Sequence, residues 1–148
     1  MMSYNTVTTA NDFFEARLVK PSWENATSGN KTKALNMAYS ILEKLNYLGE
    51  KAEEDQDSEF PRGDDTDVPT AILEAEALIA AALLDDFDIE QERNNLSMIL
   101  HRYGQVTTSY DRSELPLHII AGVPSYEAWL LLKPFIRDVN EIKLSRVS

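Results

Sequence analysis

Residues 68–87, VPTAILEAEALIAAALLDDF, constrain the fold more than any other part of the chain. Ala71, Ile72, Leu73, Ala75 and the unbroken run from Ala77 to Leu84 leave only Thr70, Glu74 and Glu76 polar before the acidic end. A helix that is apolar on nearly every side must be enclosed by other elements. Glu74 and Glu76 interrupt it, and it falls short of the about 20 predominantly apolar residues that span a bilayer. It is therefore expected to be the central rod of a small helical bundle. Thr66 or Asp67 is the expected cap, and Pro69 suits the first turn because its missing N–H would have no partner there.

The elements that could enclose this rod lie on both sides of it. After an extended start, Thr8 or Thr9 is placed to cap a short helix carrying Phe13, Phe14 and Leu18, which Pro21 is expected to end. Residues 22–26 read as one capped turn that folds Trp23 back on the core, and 27–30 as a polar link. The clearest amphipathic pattern runs over about 31–48, with Ala34, Leu35, Met37, Ala38, Ile41, Leu42, Leu45 and Leu48 at three- and four-residue spacing. Gly49 then offers a left-handed stop. Lys31, Lys33 and Lys44 on this helix read as a solvated face rather than a nucleic-acid surface.

Residues 50–67 form a polar, acidic connection of about 18 residues, broken by Pro61 and Gly63 and longer than most loops in a compact domain. Phe60-Pro61 is its expected anchor on the bundle. Arg62-Gly63-Asp64 matches an integrin-binding tripeptide, which three residues reach by chance. Asp55, Asp57 and Glu59 alternate like calcium ligands but lack the central glycine and closing glutamate of a calcium loop.

Beyond Asp88 the pattern fits either a helix or a strand. From Ser97 to Tyr110, alternation around Gly104 favours a projecting extended arm or β-hairpin at about 96–110. Residues 117–123 take no assignment. Ser125 starts a last helix from Tyr126 to about Arg137, with Tyr126, Trp129, Leu130 and Phe135 expected on one face and a kink or stop at Pro134. Thus residues 1–137 are expected to form one mainly α domain. The tail, 138–148, spaces Val139, Ile142, Leu144 and Val147 among charges and cannot enclose itself, so partner contact is expected to order it.

Charge and missing chemistry narrow the function. The chain's net charge is −11, yet residues 50–92 alone hold 16 acidic and 2 basic side chains. That region repels phosphate, whose binding needs clustered Lys and Arg. Without cysteine there are no disulfides or thiolate metal sites, which suits an intracellular or virion-interior protein. The N-terminal residues show no signal peptide, so synthesis in the cytoplasm is expected. No phosphate-cradling glycine loop, nucleophile elbow or zinc spacing occurs, and His101 and His118 have no carboxylate at helical spacing. Asp64-Asp65 and Asp85-Asp86 lie in polar surroundings that would not raise a pKa. No enzyme, cofactor or metal is expected.

The order ANDFFEARL, SWENA, KTKALNMAYSILEKLNYLGE and EFPRGDDTDVPTAILEAEALIAAALL resembles the small helical head–tail connector (adaptor, or head-completion) proteins of tailed bacteriophages. The resemblance continues through Tyr103–Tyr110 and the closing helix from Ser125 to Phe135. It implies a structural protein of the virion neck, forming a homo-oligomeric ring of about twelve copies between the portal protein and the next neck or tail protein. Double-stranded DNA would pass through such a ring without specific binding. Related sequences are also labelled DnaT-like single-stranded DNA-binding, which gives the alternative: a replication accessory.

Within that frame Ile142, Lys143, Leu144 and Arg146 are the candidate portal or tail contacts. Leu96, Met98, Leu100, Tyr103, Val106 and Tyr110 are the candidate arm contacts to a neighbouring subunit or ring. Glu53, Glu54, Asp55, Asp57, Asp64 and Asp65 are candidates to face the lumen, where a wall that does not bind phosphate lets the duplex slide.

Overall fold

A computed structural model describes residues 2–97, 100–103, 106–109 and 116–137; for residues 96, 97 and the two strands it describes the backbone alone. The protein is mainly helical. The central rod is α4, Thr70–Leu84, with Pro69 at its N-cap position and no side-chain cap, so neither Thr66 nor Asp67 fills that role. Ile72, Ala75, Ala77, Leu78, Ile79, Ala80 and Ala81 are all buried, as the composition demands. The small alanine side chains let neighbouring backbones come close, and α4 packs against α3, Ser28–Leu42, and α7, Tyr126–Leu132.

Several boundaries move from their sequence positions for local reasons. The first helix, α1, is Val7–Glu15: Thr6 is its cap, and Thr6 and Thr9 form a reciprocal capping box that places the start before Thr8. Pro21 opens the short helix α2, Pro21–Glu24, where its fixed φ suits a first turn. α3 starts at Ser28, because the Thr27 hydroxyl accepts the Asn30 N–H, and it ends at Leu42 rather than Leu48. The chain then turns so that the Tyr47 hydroxyl donates to the Leu42 carbonyl at 2.8 Å, and Gly49 adopts its left-handed conformation outside the helix. As a result Leu48 and Met37, expected in the core, are half exposed.

Trp23 is buried against Phe14, with ring centroids 5.0 Å apart, and its indole N–H donates to Asn11 Oδ1. Phe60 is likewise buried, wedged between Tyr47, Tyr4 and Phe135. After α4, α5 covers Ile89–Ser97, resolving the choice there in favour of a helix. The arm is a two-stranded antiparallel hairpin of β1, Leu100–Tyr103, and β2, Val106–Ser109, in which Tyr103 pairs with Val106.

A short helix, α6, spans Leu117–Ala121 and stops at Gly122, whose φ of 89° is a conformation L side chains resist. Ser125 caps α7 as expected, but α7 gives way to a 3₁₀ turn, Lys133–Phe135, around Pro134. The expected single face does not form: Trp129 is buried while Tyr126 and Leu130 point outward. The end of the described chain returns to the exit of α3, where Leu48 N–H donates to the Phe135 carbonyl and Arg137 N–H to the Asn46 carbonyl.

Candidate functional site

Three surfaces could carry function: the acidic loop, the clasp beneath it and the arm. The loop 50–67 is shaped by its own arginine. Arg62 reaches the carbonyls of Leu48, Gly49 and Glu59, pairs with the Glu59 carboxylate at 2.6 Å, and lies over the Tyr47 ring. Lys51 and Arg62 are bridged backbone to backbone, and Gln56 donates to the Ser58 and Pro61 carbonyls. One guanidinium thus ties both legs of the loop to the bundle. Glu53, Glu54, Asp55, Asp57, Asp64 and Asp65 are all exposed around this frame. Among the described residues no group of acidic or histidine side chains is arranged to hold a metal ion.

Under the loop lies a polar cluster that sequence reasoning missed. Glu76, on the central rod, is fully buried, and its two carboxylate oxygens accept the backbone N–H groups of Tyr4 and Asn5 at 2.8 and 2.9 Å. The Asn5 side-chain amide donates to the Leu73 carbonyl at 2.7 Å. The Tyr4 hydroxyl donates to Glu43 and accepts the Phe60 N–H, while Glu43 also accepts the Glu59 N–H. The N-terminal segment, the end of α3, the loop and α4 are clasped together at one point. Burial lifts the Glu76 carboxyl to about 7; the Tyr4 and Asn5 donors oppose that, and the Glu43 charge adds to it. Burial, then Glu43, pushes the Tyr4 phenol well above its ordinary value. A partial signal for this cluster was present: Glu74 and Glu76 stand inside a largely apolar helix, where a carboxylate that turns inward must find donors.

Several of the described basic side chains are engaged within the fold. Arg17 pairs with Glu127 and stacks on Phe13, and Lys31 lies over Trp23 with its Nζ 3.1 Å from Asn11 Oδ1. On the same flank Leu18, Val19, Tyr126 and Leu130 are exposed. His118 meets the Tyr126 ring edge to face and is held below its ordinary pKa by burial, with no carboxylate placed on it by any described hydrogen bond.

The hairpin places His101, Arg102 and Tyr103 consecutively on β1, with Arg102 opposite Thr107. Of the expected arm contacts, Leu100, Tyr103 and Val106 lie on the paired strands and Leu96 on α5, whereas Met98 and Tyr110 lie outside the described residues. Ile142, Lys143, Leu144 and Arg146 also lie outside them.

Comparison with known families supplies the deciding observation. The profile of the family described as "Putative DnaT-like ssDNA binding protein" matches residues 1–146. The chain belongs to this family. No curated protein and no solved structure matched it. The match covers helices, loop, arm and most of the tail in one piece, and it agrees with the DnaT-like label rather than with the connector resemblance, for which no match speaks. Among the described residues no helix is long and apolar enough to cross a membrane.

Proposed function

We propose that this DnaT-like protein is a non-enzymatic binding protein that contacts single-stranded DNA, with the hairpin β1–β2 as its contact element. The observation that carries this reading is the family match over nearly the whole chain. The hairpin is the choice because single-strand binding needs cations interleaved with aromatic platforms. β1 carries Arg102 between His101 and Tyr103, whereas Arg17, Lys31 and Arg62 are held by partners within the fold. The acidic loop supports the same assignment by exclusion: its exposed carboxylates would repel phosphate. Fluorescence anisotropy with a labelled oligothymidine tests this. The expected result is saturable binding that weakens steeply with added salt, since counterion release drives it. Absence of binding at low salt overturns it.

A second reading is favoured by one specific observation, the six exposed carboxylates on a loop held in place by Arg62. In a ring, such a loop would make a wall that duplex DNA passes without sticking. On this reading the protein is a neck component of a virion, assembled as about twelve copies, with the tail at Ile142, Lys143, Leu144 and Arg146 gripping the portal. Imaging of the protein mixed with portal separates the two: a closed ring at the portal supports the neck role, and a single-strand complex without a ring supports the first reading.

A further inference from the structure

Two aliphatic residues form a knob on the connection between α1 and α2. α1 ends at Glu15 and Pro21 opens α2, so residues 16–20 cross between the two helices. Leu18 is 93% and Val19 71% exposed, yet the connection is anchored from below by Phe14 and Trp23, which are buried with ring centroids 5.0 Å apart. Arg17 within it is paired with Glu127 and lies over the Phe13 ring. An aliphatic pair presented on a fixed base loses little freedom when it is covered, which suits it to contact.

The same chain carries a groove of about 470 Å³ between α3 and the junction of α4 with α5. Met37, Leu83, Leu84 and Phe87 give it an apolar lining, with Lys33 on the α3 side and Asp86 and Asp88 on the other. These three charges are exposed and form no ion pair among the described residues. The knob has the reverse arrangement: Lys20, also without an ion pair there, follows Val19, and exposed Glu24 closes α2.

Charge also separates this knob from other exposed apolar residues. Tyr126 and Leu130 stand beside Glu127, an acid like Asp86 and Asp88, and α6, with exposed Leu117 and Ile120, carries no Lys or Arg. Leu18 lines a different hollow with Leu78 and Glu127, so the groove of its own chain does not receive it.

We propose that Leu18 and Val19 of one copy enter the groove of a second copy, with Lys20 beside Asp86 and Asp88. Knob and groove are different surfaces, so every joined pair leaves one of each open, and repetition gives a ring or a filament. The inference deepens the ring reading and rests on it for closure, while the pairing itself needs neither portal nor DNA.

Complementary variants test this by sedimentation velocity in the absence of portal. Leu18→Asp removes the knob and Met37→Asp spoils the groove, both at exposed positions that accept a carboxylate without burying it. The natural chain is expected to gain mass between about 1 μM and about 1 mM, and each variant alone to stay monomeric over that range. An equimolar mixture of the two should stop at a dimer of one copy each, since it holds one intact knob per intact groove. A natural chain that stays monomeric, a variant that still associates, or a mixture that stays monomeric overturns the proposal. Closed rings on the portal formed by both variants would overturn this contact and leave the neck reading standing. Association as expected here, with no ring on the portal, would support the contact and overturn the neck reading alone.

Discussion

The backbone N–H of Asn5 donates to the Glu76 carboxylate at 2.9 Å, joining the first turn of the chain to the middle of its central helix. With the Tyr4 N–H on the other oxygen, a residue buried among alanines and isoleucines becomes the point at which the N-terminal segment is fastened. Removing it leaves two buried donors without an acceptor. Glu76→Ala is expected to cost about 2 to 4 kcal/mol in urea unfolding. A loss below about 0.5 kcal/mol would mean the clasp contributes little to the fold.

The same residue sets a pH dependence. Its folded pKa of about 7 exceeds the ordinary 4.5, because burial and the Glu43 charge outweigh the two N–H donors. The folded state therefore holds the proton more tightly than the unfolded state. Its contribution is fully present below the unfolded value and is lost as pH rises through the folded one. The urea midpoint is expected to fall from about pH 5 to about pH 7.5, and this slope should flatten in Glu76→Gln, which cannot ionise. Gln also turns an N–H₂ toward a backbone donor, so the variant should be less stable at both ends of the range. Parallel slopes in the two proteins would place the titration elsewhere.

These two predictions concern a residue whose role the sequence could not assign, and the reason is physical. Composition alone shows that 68–87 must be enclosed, and single bulky residues in polar stretches, Trp23 and Phe60, announce anchors because nothing else there can reach a core. Alternation around Gly104 likewise shows the hairpin. What local pattern cannot show is which of Glu74 and Glu76 turns inward, since the donors that satisfy it lie 71 and 72 positions away. The ends of helices failed for a smaller reason. Thr6 competes with Thr8 and Thr9 for the first cap, and Thr27 begins α3 across Gly29 and Asn30, residues that read as a link. Tyr126 and Leu130 fit an amphipathic face equally well turned inward or outward, and contact with α4 selected Trp129 instead. For the candidate site, the exposure of the acidic loop was legible; the arginine that shapes it was not, because Arg62 acts through carbonyls rather than through a charge pattern.

Arg62 supplies a third test. Its guanidinium serves three carbonyls and one carboxylate, a fork that an ammonium cannot copy. Arg62→Lys is expected to lose about 1 to 2 kcal/mol. It should also speed amide exchange across residues 50–67, while amides in the middle of α4 exchange at a rate set by global stability alone. Unchanged exchange in the loop would show that Phe60 suffices to hold it.

Trp23 should be the costliest single truncation outside the central helix. Its ring is buried against Phe14, its N–H is bonded to Asn11, and Lys31 lies over its face. Trp23→Ala is expected to lose about 3 to 5 kcal/mol. Trp23→Phe should lose less, since it retains most of the packing and forfeits the hydrogen bond. Equal losses in the two variants would assign the effect to the hydrogen bond rather than to volume.

The claim that the hairpin contacts single-stranded DNA is tested most directly by titrating labelled oligothymidine with the protein and with its Arg102→Ala, Tyr103→Ala double variant at low salt. Stacking contributes about 1 to 3 kcal/mol per base. Saturable, salt-weakened binding by the natural chain is expected, with at least a roughly tenfold weaker affinity in the double variant and unchanged thermal stability. Equal binding by the two proteins, or no binding by either, would contradict it.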